Sequence, residues 1–132
     1  MLVIPKINIV EPIFQKGKSS LNKGIWHKFS DRSDPQKGGN FVLTGHRFTF
    51  GMTPDETLRK SPLYNVDKLV VGDKIKVKWN GQSYDYNIYS IKEVPKTEVK
   101  IEDQTKDDIL TLYTCTFIGE DGPRFVIRAR PI

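Results

Sequence analysis

The sequence predicts an all-β fold of seven or eight short strands, arranged as a sandwich or a closed barrel, and we favour the barrel. The clearest strand is Lys74–Trp79, in which apolar residues alternate with lysines. Asn80-Gly81 follows it and is the favoured two-residue signal for a hairpin. Only residues 61–69 carry convincing helix signals, because Ser61-Pro62 combines an N-cap residue with a first-turn proline. Many strand signals and one helix signal together indicate the all-β class.

The first half of the chain predicts short elements separated by a long loop. Residues 2–13 indicate one or two edge strands, with prolines at their ends. Residues 15–39 are rich in Lys, Ser, Gly and Asp without a regular apolar period, which predicts a long and partly packed loop. Residues 41–43 predict a short buried strand that leads into His46.

The second half predicts longer strands. After a turn at Gly72-Asp73, the chain forms the hairpin, and its return strand starts at Gln82. The apolar positions of that strand change parity near Tyr89, which indicates either a β-bulge or a stretch that is buried on both faces. Residues 97–108 are polar and acidic. Residues 109–114 and 124–129 then predict two antiparallel strands.

Length and composition fit one domain, residues 1–132, because 37% hydrophobic residues suffice for a single core. The formal net charge of +5 favours encounter with anionic surfaces or polymers but also describes many ordinary proteins. One cysteine excludes an internal disulfide, and two histidines do not supply the spacing of a structural metal site, so no metal or cofactor is implied. The chain shows neither a signal peptide nor an apolar stretch of 18 residues.

The single cysteine, Cys115, is a candidate nucleophile. A lone cysteine more often serves as a small buried apolar residue. Cys115, however, closes an apolar run between two threonines and precedes the polar turn at residues 118–123, so we expect it to be exposed at a strand end. A free thiol has an ordinary pKa of about 8.5, and a neighbouring cation is needed to stabilise its thiolate at neutral pH.

Two further candidates stand at strand ends and supply such cations. His46 follows a short strand and a glycine, whereas His27 stands in the predicted loop and is expected to be a packing or surface histidine. Arg124 starts the last predicted strand, directly after the turn from Cys115. Arg128 and Arg130 share its face of the strand and are expected to form a solvated face or a rim.

These residues also carry a family resemblance. Thr111-Leu-Tyr-Thr-Cys115 resembles the Thr-Leu-x-Thr-Cys signature of sortases, the cysteine transpeptidases of Gram-positive bacterial surfaces, and Thr44-Gly-His46 resembles their histidine motif. The similarity extends in order along nearly the whole chain, through Ile4-Pro-Lys-Ile7, Gly38-Gly-Asn40, residues 69–75 and Tyr84-x-Tyr86.

The resemblance implies an eight-stranded closed β-barrel with one or two short helices. It also implies that His46, Cys115 and Arg124 are the catalytic residues. In the family, the strand and loop before the cysteine wall the peptide groove, which makes a further set of residues candidate substrate contacts: Thr44, Val99, Ile101, Tyr113 and Thr114. Ordinary packing explains each of these residues equally well when it is considered singly.

The implied reaction cleaves an LPxTG-like sorting motif through a thioacyl enzyme and transfers the acyl group to an amine. The implied partners are the sorting-signal peptide of surface proteins and an amine acceptor, either a cell-wall precursor or a pilin lysine, without nucleic acid. The implied location is the extracellular face of the cell membrane. Because the family usually has an N-terminal membrane anchor, this chain is expected to be a catalytic fragment.

Two alternatives from other classes remain open. A hydrolytic cysteine peptidase would use the same three residues but release its product to water, and product analysis with and without an amine separates the two. A non-catalytic barrel that binds anionic polymer would use the positive charge and the tyrosines, with affinity that falls steeply with salt.

Overall fold

The chain forms one nine-stranded sheet with few helices. The computed structural model describes the backbone of residues 1–49, 51–116 and 119–132, and their side chains except those of Cys115, Thr116, Gly119 and Glu120. The strands are β1 (Leu2–Ile4), β2 (Ile9–Glu11), β3 (Ile13–Phe14), β4 (Ile25–Lys28), β5 (Asn40–Thr44), β6 (Lys74–Trp79), β7 (Gln82–Val94), β8 (Ile109–Thr116) and β9 (Gly119–Pro131). One α-helix, α1, spans Pro54–Arg59, and short 3-10 helices span Pro5–Ile7, Lys18–Asn22, Val66–Lys68 and Val99–Glu102.

The sheet curls into a nearly closed barrel, which confirms the predicted fold with nine strands in place of eight. Its order is β2-β1-β6-β7-β9-β8-β5-β4-β3, so its two outer strands are β2 and β3. These two strands are separated in sequence by a single residue, Pro12. Pro12 has no N–H to donate, and its carbonyl accepts a hydrogen bond from the N–H of Ile25 at 3.0 Å. The two edges of the sheet therefore meet at one proline.

The core fills the barrel with aliphatic side chains from most strands. Ile4, Leu43, Leu110 and Ile127 are fully buried. Strand β5 is buried along its whole length, as expected for a strand that is covered on both faces. Its parallel neighbour is β8, and the register aligns Asn40 with Ile109 and Thr44 with Tyr113.

The predicted hairpin and bulge are both confirmed. Strands β6 and β7 pair through Trp79 and Gln82, and the two loop residues, Asn80 and Gly81, have φ values of 48° and 79°. Two positive φ angles are what a type I′ turn requires. The register of β7 against β9 shifts between Ile88 and Ser90, where the apolar pattern predicted a bulge.

The prediction of one long loop over residues 15–39 is wrong in part, because strand β4 lies within this stretch. In β4, Ile25 and His27 are buried while Trp26 and Lys28 are half-buried. This alternation is a strand pattern, but a histidine occupies one of its inward positions. The imidazole satisfies both ring nitrogens there, since Nε2 is 2.7 Å from the carbonyl oxygen of Ser33 and Nδ1 is 3.2 Å from Nε2 of Gln15.

The predicted helix at residues 61–69 is wrong in part, because only Val66–Lys68 forms a short 3-10 helix there and the α-helix lies one segment earlier. Thr53 caps α1 by accepting the N–H of Glu56, and the Glu56 carboxylate accepts the N–H of Met52, the residue before the cap. The hydroxyl of Ser61 instead accepts the N–H of Thr49 at 2.9 Å. Ser61 therefore fastens a loop and does not start a helix.

The last two strands are longer than predicted. Strand β9 begins at Gly119, so most of the expected turn at residues 118–123 is strand, and Arg124 stands inside β9, not at its start. Strand β8 continues one residue beyond Cys115. The predicted exposure of the Cys115 side chain lies outside the described residues, as do Phe117 and Ile118.

Candidate active site

The parallel pairing of β5 and β8 brings the histidine and cysteine segments to the same edge of the sheet. Thr44 is in register with Tyr113, and two residues further along the chain from each of them stand His46 and Cys115. The carboxyl ends of parallel strands lie side by side, so these two backbone positions are neighbours. The sequence placed both residues at strand ends, and the pairing joins those ends.

A buried hydrogen bond fixes the two strand ends to each other. The Thr114 hydroxyl donates to the carbonyl oxygen of Gly45 at 2.7 Å, and the Thr114 side chain is only 1% exposed. Thr114 directly precedes Cys115, and Gly45 directly precedes His46. This hydrogen bond therefore holds the two segments together just beyond the last backbone pair of β5 and β8.

Arg124 reaches the same edge from the other neighbour of β8. In the antiparallel pair of β8 and β9, Cys115 is opposite Arg124, and the next pair is Thr116 with Gly119. Four residues of β9, numbers 120–123, thus have no counterpart on β8 and form an irregularity beside the cysteine position. The Arg124 guanidinium donates from Nη1 to the carbonyl of Gly122 at 2.9 Å, within this irregularity.

A cleft of about 550 Å³ opens at this edge. His46 and Arg124 line it together with Thr44 and Tyr113, so two predicted catalytic residues and two predicted substrate contacts share one cavity. Its remaining described lining is mostly cationic or apolar and comprises Lys18, Leu21, Trp26, Lys28, Gly45, Lys96 and Asp121. The ion pair of Lys96 with Asp121 is 3.3 Å long and well exposed, so it contributes little to stability.

The 3-10 helix Val99–Glu102 is anchored to the barrel beside this cleft. Nδ2 of Asn40 donates to the carbonyls of Ile101 and Asp103 at 3.0 and 2.9 Å. The Ile101 side chain is buried against Val94 and Val126, whereas the Val99 side chain is 64% exposed. Neither Val99 nor Ile101 is among the described residues that line the cleft.

Arg128 adds a further anchor, because its Nη2 donates to the Ile101 carbonyl at 3.2 Å. The expectation that Arg128 belongs to a solvated face or a rim did not include this contact. Arg130, in contrast, is exposed and stacks on the ring of Tyr89 with 4.1 Å between the guanidinium carbon and the ring centroid.

A polar cluster joins that anchored segment to the cleft wall. Lys28 forms an ion pair with Glu102, and Tyr113 donates its hydroxyl to Glu102 at 2.7 Å. Burial, and then the hydrogen bond with Glu102, raise the pKa of Tyr113 well above its usual range. The phenol therefore stays protonated and remains a donor at physiological pH. Lys28 and Glu102 were not among the predicted site residues, because a strand at Ile25–Lys28 was not predicted.

The two histidines occupy different environments. His27 is 1% exposed and lies edge-on to the rings of Phe41 and Trp79. Burial lowers the pKa of His27, and the carbonyl of Ser33 opposes that shift in part. His27 is therefore a neutral packing residue outside the cleft, whereas His46 lines the cleft.

Comparison with known proteins identifies the family. A family model described as the sortase domain matches residues 2–132. Sortase A of Listeria monocytogenes is 32% identical over 126 residues, which are 95% of this chain and 52% of that protein. Sortase D of Bacillus subtilis is 28% identical over 137 residues, covering 100% of this chain and 63% of that protein.

Solved structures agree with the sequence comparison. The crystal structure of Listeria monocytogenes sortase A matches 99% of this chain and 84% of its own, with a TM-score of 0.82 and 27% identity. Sortase C1 from Streptococcus agalactiae matches 99% of this chain and 65% of its own, with a TM-score of 0.79 and 29% identity.

The chain belongs to the sortase family. The resemblance inferred from its motifs is thereby confirmed. The chain spans about half to two thirds of the length of the two curated relatives described above. None of the helices in the described part of the chain has the length and apolarity that a membrane span requires. The same part of the chain contains no group of three or more side chains that could hold a metal ion.

Proposed function

We propose that this chain is the catalytic domain of a cysteine transpeptidase that cleaves an LPxTG-like sorting motif and transfers the acyl group to an amine. The observation that carries the proposal is the convergence of three strands. Strand β5 leads to His46, β8 carries Cys115, and β9 places Arg124 opposite Cys115. These residue types correspond to a nucleophile, a proton carrier and an oxyanion clamp.

In the first half-reaction, the Cys115 thiolate attacks the carbonyl carbon of the motif's threonine and a C–S bond forms. Neighbouring cations such as an imidazolium or a guanidinium stabilise a thiolate relative to the thiol. Arg124 stabilises the oxyanion of the tetrahedral intermediate. When the C–N bond breaks, His46 donates a proton to the leaving amine, and a thioester remains on Cys115.

In the second half-reaction, an amine attacks the thioester and the C–S bond breaks. His46, now neutral, accepts the proton of the attacking amine, and the thiolate of Cys115 leaves. The acceptor is an amino group of a cell-wall precursor or a pilin lysine. The domain acts at the extracellular face of the cell membrane, where both kinds of substrate are exposed.

The peptide lies in the cleft beside Cys115. Thr44 and Tyr113 line this cleft and are proposed to contact the peptide directly. Val99 exposes an apolar side chain on the segment that Lys28 and Asn40 anchor, so it is proposed to form the outer wall. Thr114 and Ile101 are buried, which supports a role beneath the groove surface.

Replacement of the cysteine tests the proposal. Cys115→Ala should leave the fold intact and remove all cleavage of LPxTG-like peptides, because the sequence contains no second thiol. Mass spectrometry of the unmodified protein should trap an acyl adduct on Cys115. Product analysis with and without added amine then separates transfer from hydrolysis. Appreciable cleavage by the alanine variant would exclude the whole catalytic scheme.

A further inference from the structure

A second cavity lies at the opposite end of the barrel from the catalytic cleft. It has a volume of about 350 Å³ and lies where β5 and β8 begin, at Gly39 and Ile109. Strand β7 and the end of β9 form its other walls, through Tyr84 and Pro131. The six steps between consecutive residues from Gly39 to Gly45 rise by about 3.3 Å each, so the two cavities are separated by roughly 20 Å.

The wall formed by residues 34–38 is an ordered turn. Oδ1 of Asp34 accepts the N–H groups of Gln36 and Lys37 at 2.8 and 2.7 Å. The N–H of Gly38 donates to the Asp34 carbonyl at 2.9 Å. The side chain of Gln36 accepts a hydrogen bond from Asn80 in the β6–β7 hairpin at 3.1 Å. The cavity therefore exists before any ligand arrives.

The cavity is acidic although the whole chain is basic. Asp34, Asp85 and Asp108 line it, and the described lining contains no lysine or arginine. Oδ1 of Asp108 accepts the N–H of Gly39 at 2.9 Å, which fixes that carboxylate at the rim. Among the described residues, neither Asp34 nor Asp108 forms an ion pair, and Asp85 has only a 3.9 Å contact with Lys76.

Tyr86 gives an independent indication of a ligand. Its side chain is 4% exposed and lines the cavity, yet its hydroxyl forms no hydrogen bond with any described residue. Buried polar side chains are normally paired, and this hydroxyl, which no described residue pairs, is left to a partner inside the cavity. Burial, and then the charges of Asp108, Tyr84 and Asp34, raise the pKa of Tyr86. The hydroxyl is therefore neutral at physiological pH and lines the same cavity as the two carboxylates.

We propose that this cavity binds a primary alkylammonium group, either of a free alkylamine or of a lysine side chain. The ammonium ion donates three hydrogen bonds, which match the free carboxylate oxygens and the phenol oxygen. Its methylene chain packs on the apolar and aromatic walls at Phe41, Tyr84 and Pro131. A metal ion fits less well, because no group of three ligands that could hold one exists among the described residues.

This site is separate from the acyl-transfer site, and its ligand need not be the acceptor amine. Because the two cavities lie at opposite ends of the barrel, binding can be measured in the Cys115→Ala variant, in which no acyl transfer occurs. A failure of the proposed catalytic function would therefore leave this experiment unaffected.

The test is a titration with n-butylamine, with cadaverine and with a short peptide that contains one lysine, followed by calorimetry and by amide chemical shifts. We expect saturable binding with shifts confined to residues 34–39, 83–86 and 108–109. Preference for the free amines or for the peptide identifies the source of the ammonium group. Absence of saturable binding, shifts confined to residues 44–46, or displacement of the amines by equimolar calcium would each overturn the proposal.

Matched variants sharpen the test. Asp34→Asn and Asp108→Asn remove charge but keep the oxygen that accepts the backbone N–H groups, and together they should weaken binding by at least about tenfold, the scale of a lost charged hydrogen bond. Tyr86→Phe removes only the hydroxyl and should weaken binding without changing the melting temperature by more than a few degrees. Asp55→Asn removes the same charge on α1 and should bind normally. Equal affinity of the unmodified protein and all three variant proteins would contradict the assignment.

Discussion

At the scale of single residues, the buried polar side chains determine how the proposed catalytic groups are held. Thr114 was predicted from the family resemblance to contact the peptide, and that role stays a prediction. Its hydroxyl is committed to the carbonyl of Gly45, next to His46. The side-chain amide of Asn40 similarly donates a hydrogen bond to the carbonyl of Ile101. Both residues act through the backbone positions that they connect.

We therefore expect Thr114→Val to reduce kcat and to lower the free energy of unfolding by about 1–3 kcal/mol, because it leaves the Gly45 carbonyl buried without a donor. Thr114→Ser keeps the hydroxyl and should retain most of the kcat and most of the free energy of unfolding. Urea denaturation and peptide-cleavage kinetics measure the two effects. If Thr114 is instead mainly a peptide contact, Thr114→Val will raise KM with unchanged stability.

The kinetics of single variants should distinguish His46 and Arg124, which are proposed to be catalytic, from His27, which is not. His46→Ala removes proton transfer, and Arg124→Lys keeps a charge but loses the planar fork, so each should lower kcat/KM by at least about a hundredfold. His27→Gln should retain kcat/KM, because His27 lies outside the cleft. An inactive but folded His27→Gln together with an active His46→Ala would reverse the assignment.

At the scale of elements, the 3-10 helix Val99–Glu102 presents one exposed and one buried apolar side chain. Val99 is solvent-exposed, whereas Ile101 packs against Val94 and Val126. Lys28 and Asn40 hold this element from two neighbouring strands. The segment is thus a fixed wall, and replacement of its two apolar residues should have different consequences.

Val99→Ser should raise the KM for LPxTG-like peptides while leaving the melting temperature unchanged. Ile101→Ser should lower the free energy of unfolding by about 2–4 kcal/mol, because it removes buried methylene groups and introduces a hydroxyl. Arg130→Ala serves as a control, since Arg130 stacks on Tyr89 away from the cleft residues. Unchanged peptide kinetics for Val99→Ser would exclude this segment as the substrate wall.

The elements that local sequence signals could predict are those that local chemistry determines. Asn80-Gly81 specifies its own turn, and the lysine alternation specifies β6. Strand β4 escaped prediction because His27 becomes acceptable inside the barrel only through partners at Gln15 and Ser33. The α-helix was predicted in the wrong place because Thr53-Pro54 and Ser61-Pro62 carry similar start signals. In the structure Thr53 caps α1, whereas the Ser61 hydroxyl bonds to the N–H of Thr49 and is not a cap.

In the candidate site, too, local sequence signals were predictive and contacts between distant segments were not. The motifs around His46 and Cys115 were readable in the sequence, since each follows an apolar strand. The cluster of Lys28, Glu102 and Tyr113 was not readable, because its members come from three distant segments that only the sheet order joins. The four extra residues of β9 beside Cys115 were likewise taken for a turn.

At the scale of the whole molecule, one buried imidazole links stability to pH. The pKa of His27 is lowered by burial from the ordinary value of 6.5, so the folded protein keeps this ring neutral where the unfolded chain protonates it. The unfolded state then binds more protons, and the free energy of unfolding falls as the pH drops below about 6.5. The stabilisation is fully present above that pH.

This coupling predicts a pH-dependent midpoint of urea denaturation between pH 7.5 and pH 5. The slope of unfolding free energy should approach about 1.4 kcal/mol per pH unit for the single proton. His27→Gln should flatten the slope in this range, although its stability at pH 7.5 will be lower. A variant with the slope of the unmodified protein would show that another group carries the dependence.

The parallel pairing of β5 and β8 has a consequence for the order of folding. Asn40 pairs with Ile109, so the chain must close a loop of 69 residues (109 − 40) before these strands meet. Contacts that are so distant in sequence form slowly, because the entropy of loop closure is lost before the contact stabilises the chain. The hairpin of β6 and β7 needs no such closure. His46 and Cys115 therefore become neighbours only after a late step of folding, and the nascent chain carries an isolated thiol until its barrel is assembled.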